Sequence, residues 1–176
     1  INWKFFISQI FMTYLIRYWT VIVFTLSLMA ISSALFAEYI LNLLPCKMCL
    51  YQRQPYYFIL IIVILFYLFK KTSNIWLYIL TELAILYGLF YSIWHVGIEK
   101  KLILGPSNCS AFIKKTNSIE GLKEQILNKT IVNCNDITWS ILGLSAATIN
   151  TILLFLFLLF NTIFIIKVFY EKEKNN

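Results

Sequence analysis

Charged residues are scarce in this chain, and their scarcity excludes most classes of soluble protein. Only 13% of its 176 residues are charged and 60% are hydrophobic, which lies outside the usual composition of water-soluble domains. The same composition excludes a secreted disulfide scaffold. The formal charge of +7 comes from residues at the ends of apolar blocks and in one loop, which indicates membrane flanks and no nucleic-acid partner.

Glycine and proline are also rare, with five and three residues. The apolar blocks therefore lack the pair of Gly/Pro-interrupted helices that often marks a substrate site, which disfavours a transporter. Their lengths are near those needed to cross about 30 Å of hydrocarbon, so we predict helices in a lipid bilayer. We expect residues 1–176 to form one integral membrane domain, an all-α bundle with transmembrane helices at about 19–37, 50–69, 75–96 and 139–166.

The two loops that contain the cysteines, about 38–49 and 97–138, fall on the same side of a membrane that is crossed four times. Counting lysines and arginines does not settle which side this is. Because disulfides persist outside the cytosol, we predict that both loops lie in a periplasm-like space and both termini in the cytoplasm. Apolar residues at helical spacing after Ser118 predict a short helix in the second loop, either on the bilayer surface or packed on the bundle. The first apolar block is too long for a signal peptide, so we expect it to stay in the mature protein.

Two of the four cysteines, Cys46 and Cys49, form a CxxC motif where the second span begins. Covalent haem would need a histidine directly after Cys49, and the residue there is Leu50. Zinc would need further ligands, and the other two cysteines, Cys109 and Cys134, lack a second CxxC spacing, although a site made of all four is geometrically possible. We therefore predict no metal site and favour redox chemistry.

The position of Cys49 near a helix N-terminus favours its thiolate, because unpaired backbone N–H groups and the helix dipole stabilise negative charge there. Arg53 stands one turn later on the same face and would add to this effect, whereas the alternative for Arg53 is a side chain that reaches to the membrane interface. Cys109 and Cys134 bracket the second loop. They could form a structural disulfide that closes this loop, or they could exchange disulfides with Cys46 and Cys49 by thiolate attack.

The order of these features resembles that of the DsbB family of membrane disulfide-forming proteins over nearly the whole chain. The run Pro-Cys-Lys-Met-Cys-Leu-Tyr-Gln-Arg at 45–53 looks like the family signature, and Trp-Ser-Ile-Leu-Gly-Leu at 139–144 resembles the start of its last span. Between them come a hairpin of two spans and a long loop with two separated cysteines, in the family's order.

The resemblance implies an enzyme, a protein-disulfide:quinone oxidoreductase of the bacterial inner membrane. A reduced periplasmic thiol oxidoreductase similar to DsbA would attack Cys109, and Cys134 would leave and engage Cys46. Cys49 would face a quinone, ubiquinone or menaquinone, from the membrane quinone pool. Arg53 would then steady both the Cys49 thiolate and the quinone oxygen.

The resemblance also bears on two ionisable residues of the third span. In the family the end of this span borders the quinone, which makes His95 a candidate quinone contact. The alternative is a histidine at the membrane interface whose ring has its hydrogen bonds satisfied. Glu82 lies about seven residues into the span and has no family role to carry over, so we expect it to take part in packing.

Other kinds of protein stand as alternatives. The vitamin K epoxide reductase type also couples a CxxC in a four-helix bundle to a quinone, but its loop cysteines precede the CxxC, whereas Cys109 and Cys134 follow it here. A non-enzymatic membrane scaffold with two structural disulfides would leave unexplained both Arg53 and the CxxC at a helix start. A relative that moves electrons in the opposite direction uses similar parts.

Overall fold

The computed structural model describes residues 3–72, 74–106, 134–135, 137, 140–141 and 143–174. Its helices are α1 (Trp3–Tyr39), α2 (Lys47–Leu68), α3 (Ile75–Glu99) and α4 (Ala146–Lys174), and a short hairpin of β1 (Ser140–Ile141) and β2 (Leu144–Ser145) precedes α4. The side chains of residues 18–72, 74–106, 134–135, 137, 140 and 143–170 are described as well. The predicted loop helix after Ser118 lies outside the described residues.

Each of the four helices is long and apolar enough to cross a membrane. The candidate spans are Tyr18–Tyr39, Lys47–Leu68, Ile75–Glu99 and Ala146–Tyr170. Helices satisfy their own backbone hydrogen bonds, which a bilayer requires of any element that crosses it. The structure therefore confirms the prediction of an all-α, four-helix membrane bundle.

The bundle is held together by packing of α3 against α2 and α4, and of α2 against α1. Its apolar core includes Ile59, Leu77, Ile85 and Phe157, each no more than 2% exposed. At Gly88 the α3 backbone lies close to α2, because an added Cβ would lie 2.7 Å from Pro55 Cγ. The lipid-facing sides of the helices carry exposed apolar side chains, as expected where lipid replaces water.

The last span begins later than predicted, at Ala146 rather than near residue 139. The intervening residues form the hairpin, in which Ser140 pairs with Ser145, and its turn uses Gly143 at a φ of +79°, a conformation open to glycine. Ser145 then caps α4 by accepting a hydrogen bond from the Thr148 N–H at 3.2 Å. Ser140–Ile141 and Leu144–Ser145 are strands rather than part of the predicted span, and the predicted boundary is corrected accordingly.

A polar network ties α1, α3 and α4 together inside the bundle. Asn161, fully buried on α4, accepts a hydrogen bond from Trp19 Nε1 at 3.0 Å and donates to the Tyr78 carbonyl at 3.0 Å and to Glu82 Oε2 at 2.7 Å. Thr162 Oγ1 donates to the other carboxylate oxygen of Glu82 at 2.6 Å. Glu82 thus joins α3 to α4, in agreement with the packing role expected of it.

Candidate redox site

The CxxC motif lies at the start of α2 with its two sulfur atoms 2.8 Å apart. Both cysteines are free thiols, and closing a disulfide of about 2.05 Å would need only a short movement. Cys46 is the N-cap of the helix, and its Sγ accepts a hydrogen bond from the Cys49 N–H at 3.2 Å. Cys49 is therefore in the first turn of the helix, as predicted, but its own backbone N–H points to Cys46.

The two thiols are not equivalent. The pKa of the Cys46 thiol is raised, because this thiol donates a hydrogen bond to the Cys49 sulfur and because burial disfavours its charged form. Cys46 is only 2% exposed, whereas Cys49 is half-buried. Burial and this hydrogen bond therefore make Cys46 the harder of the two thiols to deprotonate.

Cys46 faces a buried cluster that includes a cysteine of the second loop. Cys46, Met48, Ile98 and Cys134 pack together, and the two cysteines are each 2% exposed. Cys134 is disulfide-bonded. The cluster brings the second loop to the end of the bundle that carries the CxxC, as the predicted topology requires. Cys109 lies outside the described residues, so its predicted role stays a prediction.

His95 lies on the same side as this cluster. Its Nε2 atom is 3.6 Å from Cys46 Sγ and 3.9 Å from Glu99 Oε1, one turn later on α3. Glu99 also accepts a hydrogen bond from Ser145 Oγ at 2.5 Å, and the backbone of Cys134 approaches the imidazole. His95 is thus placed to exchange a proton with the Cys46 thiol.

Cys46, Cys49 and His95 could in principle hold a metal ion, because their ligand atoms lie within 4.8 Å of one another. Two thiolates on one tetrahedral zinc are about 3.8 Å apart, given Zn–S bonds of about 2.3 Å. The observed sulfur separation of 2.8 Å is shorter than this. The geometry therefore favours redox chemistry over metal binding at this motif.

Cys49 packs against the same cluster and also lines a cleft of about 200 Å³ between α1, α2 and α4. The cleft walls are mainly apolar, with Ala30, Ile31, Ala37, Leu43, Leu44 and Leu153 among the lining residues. Polar atoms come from Cys49, Gln52, Arg53, Tyr56 and Asn150. Among the residues that the structure describes, His95 is not part of this lining. An apolar cavity with a few polar groups is typical of a small-molecule site.

Arg53 lines the cleft beside Cys49 but is bound to α1. Its Nη1 atom forms an ion pair with Glu38, and its Nη2 atom donates to the Ala34 carbonyl at 3.3 Å. The side chains of Arg53 and Glu38 are 13% and 21% exposed, so the pair is largely shielded from solvent. This ion pair could not be predicted from the sequence, because fifteen residues and a reversal of chain direction separate Arg53 from Glu38.

The inner wall of the cleft is a second buried polar network. Tyr56 is 3% exposed, and its hydroxyl donates to Asn150 Oδ1. Asn150 Nδ2 donates to Ser92 Oγ at 3.0 Å, and Gln52 Nε2 approaches the same hydroxyl at 3.5 Å. An asparagine inside an apolar span was the only sequence signal for this network. It links α2, α3 and α4 directly beneath the redox pair.

Residues 16–164 match the protein family described as disulfide bond formation protein DsbB. The chain belongs to the DsbB family. A relative from Rickettsia prowazekii (strain Madrid E), described as uncharacterized protein RP370, is 31% identical over 141 residues, which cover 79% of this chain and 81% of the relative. No solved structure gives a significant match. DsbB family membership and the four candidate spans together make the chain a multi-pass membrane protein of disulfide-bond formation with a disulfide oxidoreductase role.

Proposed function

We propose that this DsbB-family protein re-oxidises a periplasmic thiol oxidoreductase similar to DsbA and passes the electrons through two cysteine pairs to a membrane quinone. The observation that carries the proposal is the placement of the CxxC between two different surroundings. Cys46 packs with Cys134 in a buried cluster, while Cys49 lines an apolar cleft with Arg53. A pair placed in this way can receive electrons on one side and deliver them on the other.

The receiving side is a thiol–disulfide exchange. A thiolate of the partner attacks Cys109 in the Cys109–Cys134 disulfide, and Cys134 leaves as a thiolate. Cys134 then attacks Cys46 in the Cys46–Cys49 disulfide, and Cys49 leaves as a thiolate. The second thiol of the partner then attacks the partner–Cys109 disulfide, so the partner leaves with its own disulfide and Cys109 becomes a thiolate. Cys109 attacks Cys134 in the Cys134–Cys46 disulfide and frees Cys46. The balance is one dithiol oxidised in the partner and one dithiol formed at the CxxC.

In the proposed steps, the electrons leave from a form that has a disulfide at Cys134 and two thiols at the CxxC. Because Cys46 retains its proton, that proton must leave when the Cys46–Cys49 disulfide forms again. Besides the Cys49 sulfur, His95 approaches Cys46, with Nε2 at 3.6 Å from Cys46 Sγ, and we assign His95 a role on the cysteine side rather than in the cleft.

The delivering side is the cleft, and its residues fit a quinone head group. The lining is apolar, as a flat lipid-soluble ring requires, and Arg53 supplies N–H donors next to the half-buried sulfur of Cys49. A bound quinone supplies a two-electron acceptor that leaves as quinol. Arg53 holds negative charge on Cys49 and on an oxygen atom of a ligand in the cleft, while Gln52 and Asn150 offer polar groups further in.

The same proposal sets the orientation of the chain. Both cysteine loops face the periplasm of a bacterial inner membrane and both termini face the cytoplasm, because disulfide exchange with a partner needs an oxidising compartment. The packing of Cys134 with Cys46 supports a single compartment for both loops.

The proposal is tested by turnover in detergent solution. The purified protein is given excess short-chain quinone and a reduced thioredoxin-fold dithiol protein, and loss of quinone absorbance is followed together with disulfide formation in the partner. We expect equal amounts of quinone consumed and partner disulfide formed. Cys49→Ser and Cys109→Ser should each abolish the reaction. If quinone is not consumed and all four cysteines stay oxidised under mild reductant, the scaffold alternative replaces the proposal.

A further inference from the structure

Glu38 is an acidic residue in the last turn of α1, where the helix passes the cleft. Only 21% of its side chain is exposed, and its carboxylate is paired with Arg53. A carboxylate in a membrane span is costly unless it has a partner, and such residues are often functional. The disulfide chemistry described above does not use Glu38, so its presence at this position needs a separate account.

The contacts fix the guanidinium of Arg53 at two points on α1. One nitrogen atom pairs with Glu38, and the other donates at 3.3 Å to the carbonyl of Ala34, which lies one turn earlier on the same helix. A guanidinium has five N–H donors in a rigid plane. Two contacts on one edge set the direction of that plane, and a ligand in the cleft can accept hydrogen bonds from the donors that remain.

The ion pair also contributes to the charge that Cys49 experiences, together with Glu99 of α3, which acts on the same sulfur. Arg53 lies one helical turn after Cys49, and both line the same cleft. The negative charge of Glu38 offsets the positive charge of Arg53, so the pair stabilises a Cys49 thiolate less than Arg53 alone would. Replacing the carboxylate with a neutral group would expose the full positive charge to the sulfur.

We propose that Glu38 is a positioning residue, which aims the Arg53 guanidinium into the cleft and limits its stabilisation of the Cys49 thiolate. The orienting role rests on the proposed quinone reaction, whereas the effect on Cys49 does not. Two substitutions separate these roles. Glu38→Gln keeps an oxygen atom that accepts from Arg53 but removes the charge, and Glu38→Ala removes both.

The first measurement needs no quinone. The full chain is reduced at the CxxC in detergent and pulsed with iodoacetamide at mildly acidic pH, and modification of Cys49 is followed by peptide mass spectrometry. For Glu38→Gln we expect the rate at Cys49 to rise by about three- to tenfold, because alkylation follows the thiolate fraction. Ser32→Ala, at an exposed position of the same helix, should match the unsubstituted protein. An unchanged rate in Glu38→Gln would overturn the electrostatic role.

The second measurement is quinone turnover. Glu38→Gln should keep the KM for quinone within about twofold, whereas Glu38→Ala should raise it on the order of tenfold, the loss expected for one charge-assisted hydrogen bond. Equal KM values in both variants would overturn the orienting role. If the unsubstituted protein consumes no quinone while alkylation still responds to Glu38→Gln, the proposed function fails and the influence of Glu38 on Cys49 stands.

Discussion

Replacing Asn161 with leucine should loosen the bundle, because this one side chain joins three helices. It makes three hydrogen bonds, with Trp19, the Tyr78 carbonyl and Glu82. Side-chain hydrogen bonds between membrane helices contribute about 0.6 kcal/mol on average and up to about 1.7 kcal/mol. Three such bonds total about 2 kcal/mol, and leucine would also leave the buried groups on α1 and α3 without their partner. We therefore expect the free energy of unfolding to fall by about 2 kcal/mol or more.

The assay is equilibrium unfolding in mixed micelles with increasing dodecyl sulfate, followed by circular dichroism. The control is Thr25→Val, since Thr25 is exposed and its hydroxyl bonds only to the Ile22 carbonyl of its own helix at 3.0 Å. A surface change of this kind should alter the free energy by less than about 0.5 kcal/mol. If Asn161→Leu is no more destabilising than Thr25→Val, the network does not hold the helices together.

Further predictions concern the packing under the site and the order of thiol reactivity. Gly88→Ala should destabilise the bundle by about 1 to 3 kcal/mol in the same assay, because the new Cβ would lie 2.7 Å from the Pro55 ring. Gly97→Ala should lower the free energy of unfolding by less, because the atom that the new Cβ would meet at 2.8 Å is the far end of a flexible side chain. Equal losses of stability in the two variants would contradict this reasoning. In the reduced protein at neutral pH, a brief iodoacetamide pulse should modify Cys49 before Cys46, whose pKa is raised; the reverse order in peptide mass spectrometry would refute the assignment of the proton.

The spans could be predicted from the sequence because length and hydropathy alone determine them. Three of the four begin within about three residues of the predicted positions. The start of α4 could not be predicted, because the sequence from Ile141 to Leu144 is as apolar as the span that follows. The hairpin at this position depends on the turn at Gly143 and the cap at Ser145. Apolar content alone does not distinguish a short hairpin from a helix.

The redox pair could also be predicted, because CxxC spacing brings its own two sulfur atoms together. The surroundings of the pair could not, since they depend on how each helix is rotated about its axis. The sequence did not show that Arg53 pairs with Glu38, or that Asn150 and Tyr56 meet beneath the cleft. The resemblance made His95 a candidate quinone contact, and its approach to Cys46 Sγ at 3.6 Å could not be seen in the sequence.

The most direct test of the electron path is an anaerobic titration of the fully reduced protein with short-chain quinone, without any partner protein. Four cysteines form two dithiols, so the account predicts that two equivalents of quinone are consumed and no free thiol remains. A variant with Cys109 and Cys134 changed to serine should consume one equivalent, and a variant with Cys46 and Cys49 changed to serine should consume none. Quinone loss in this last variant, or none in the unsubstituted protein, would contradict the claim that electrons leave through the CxxC.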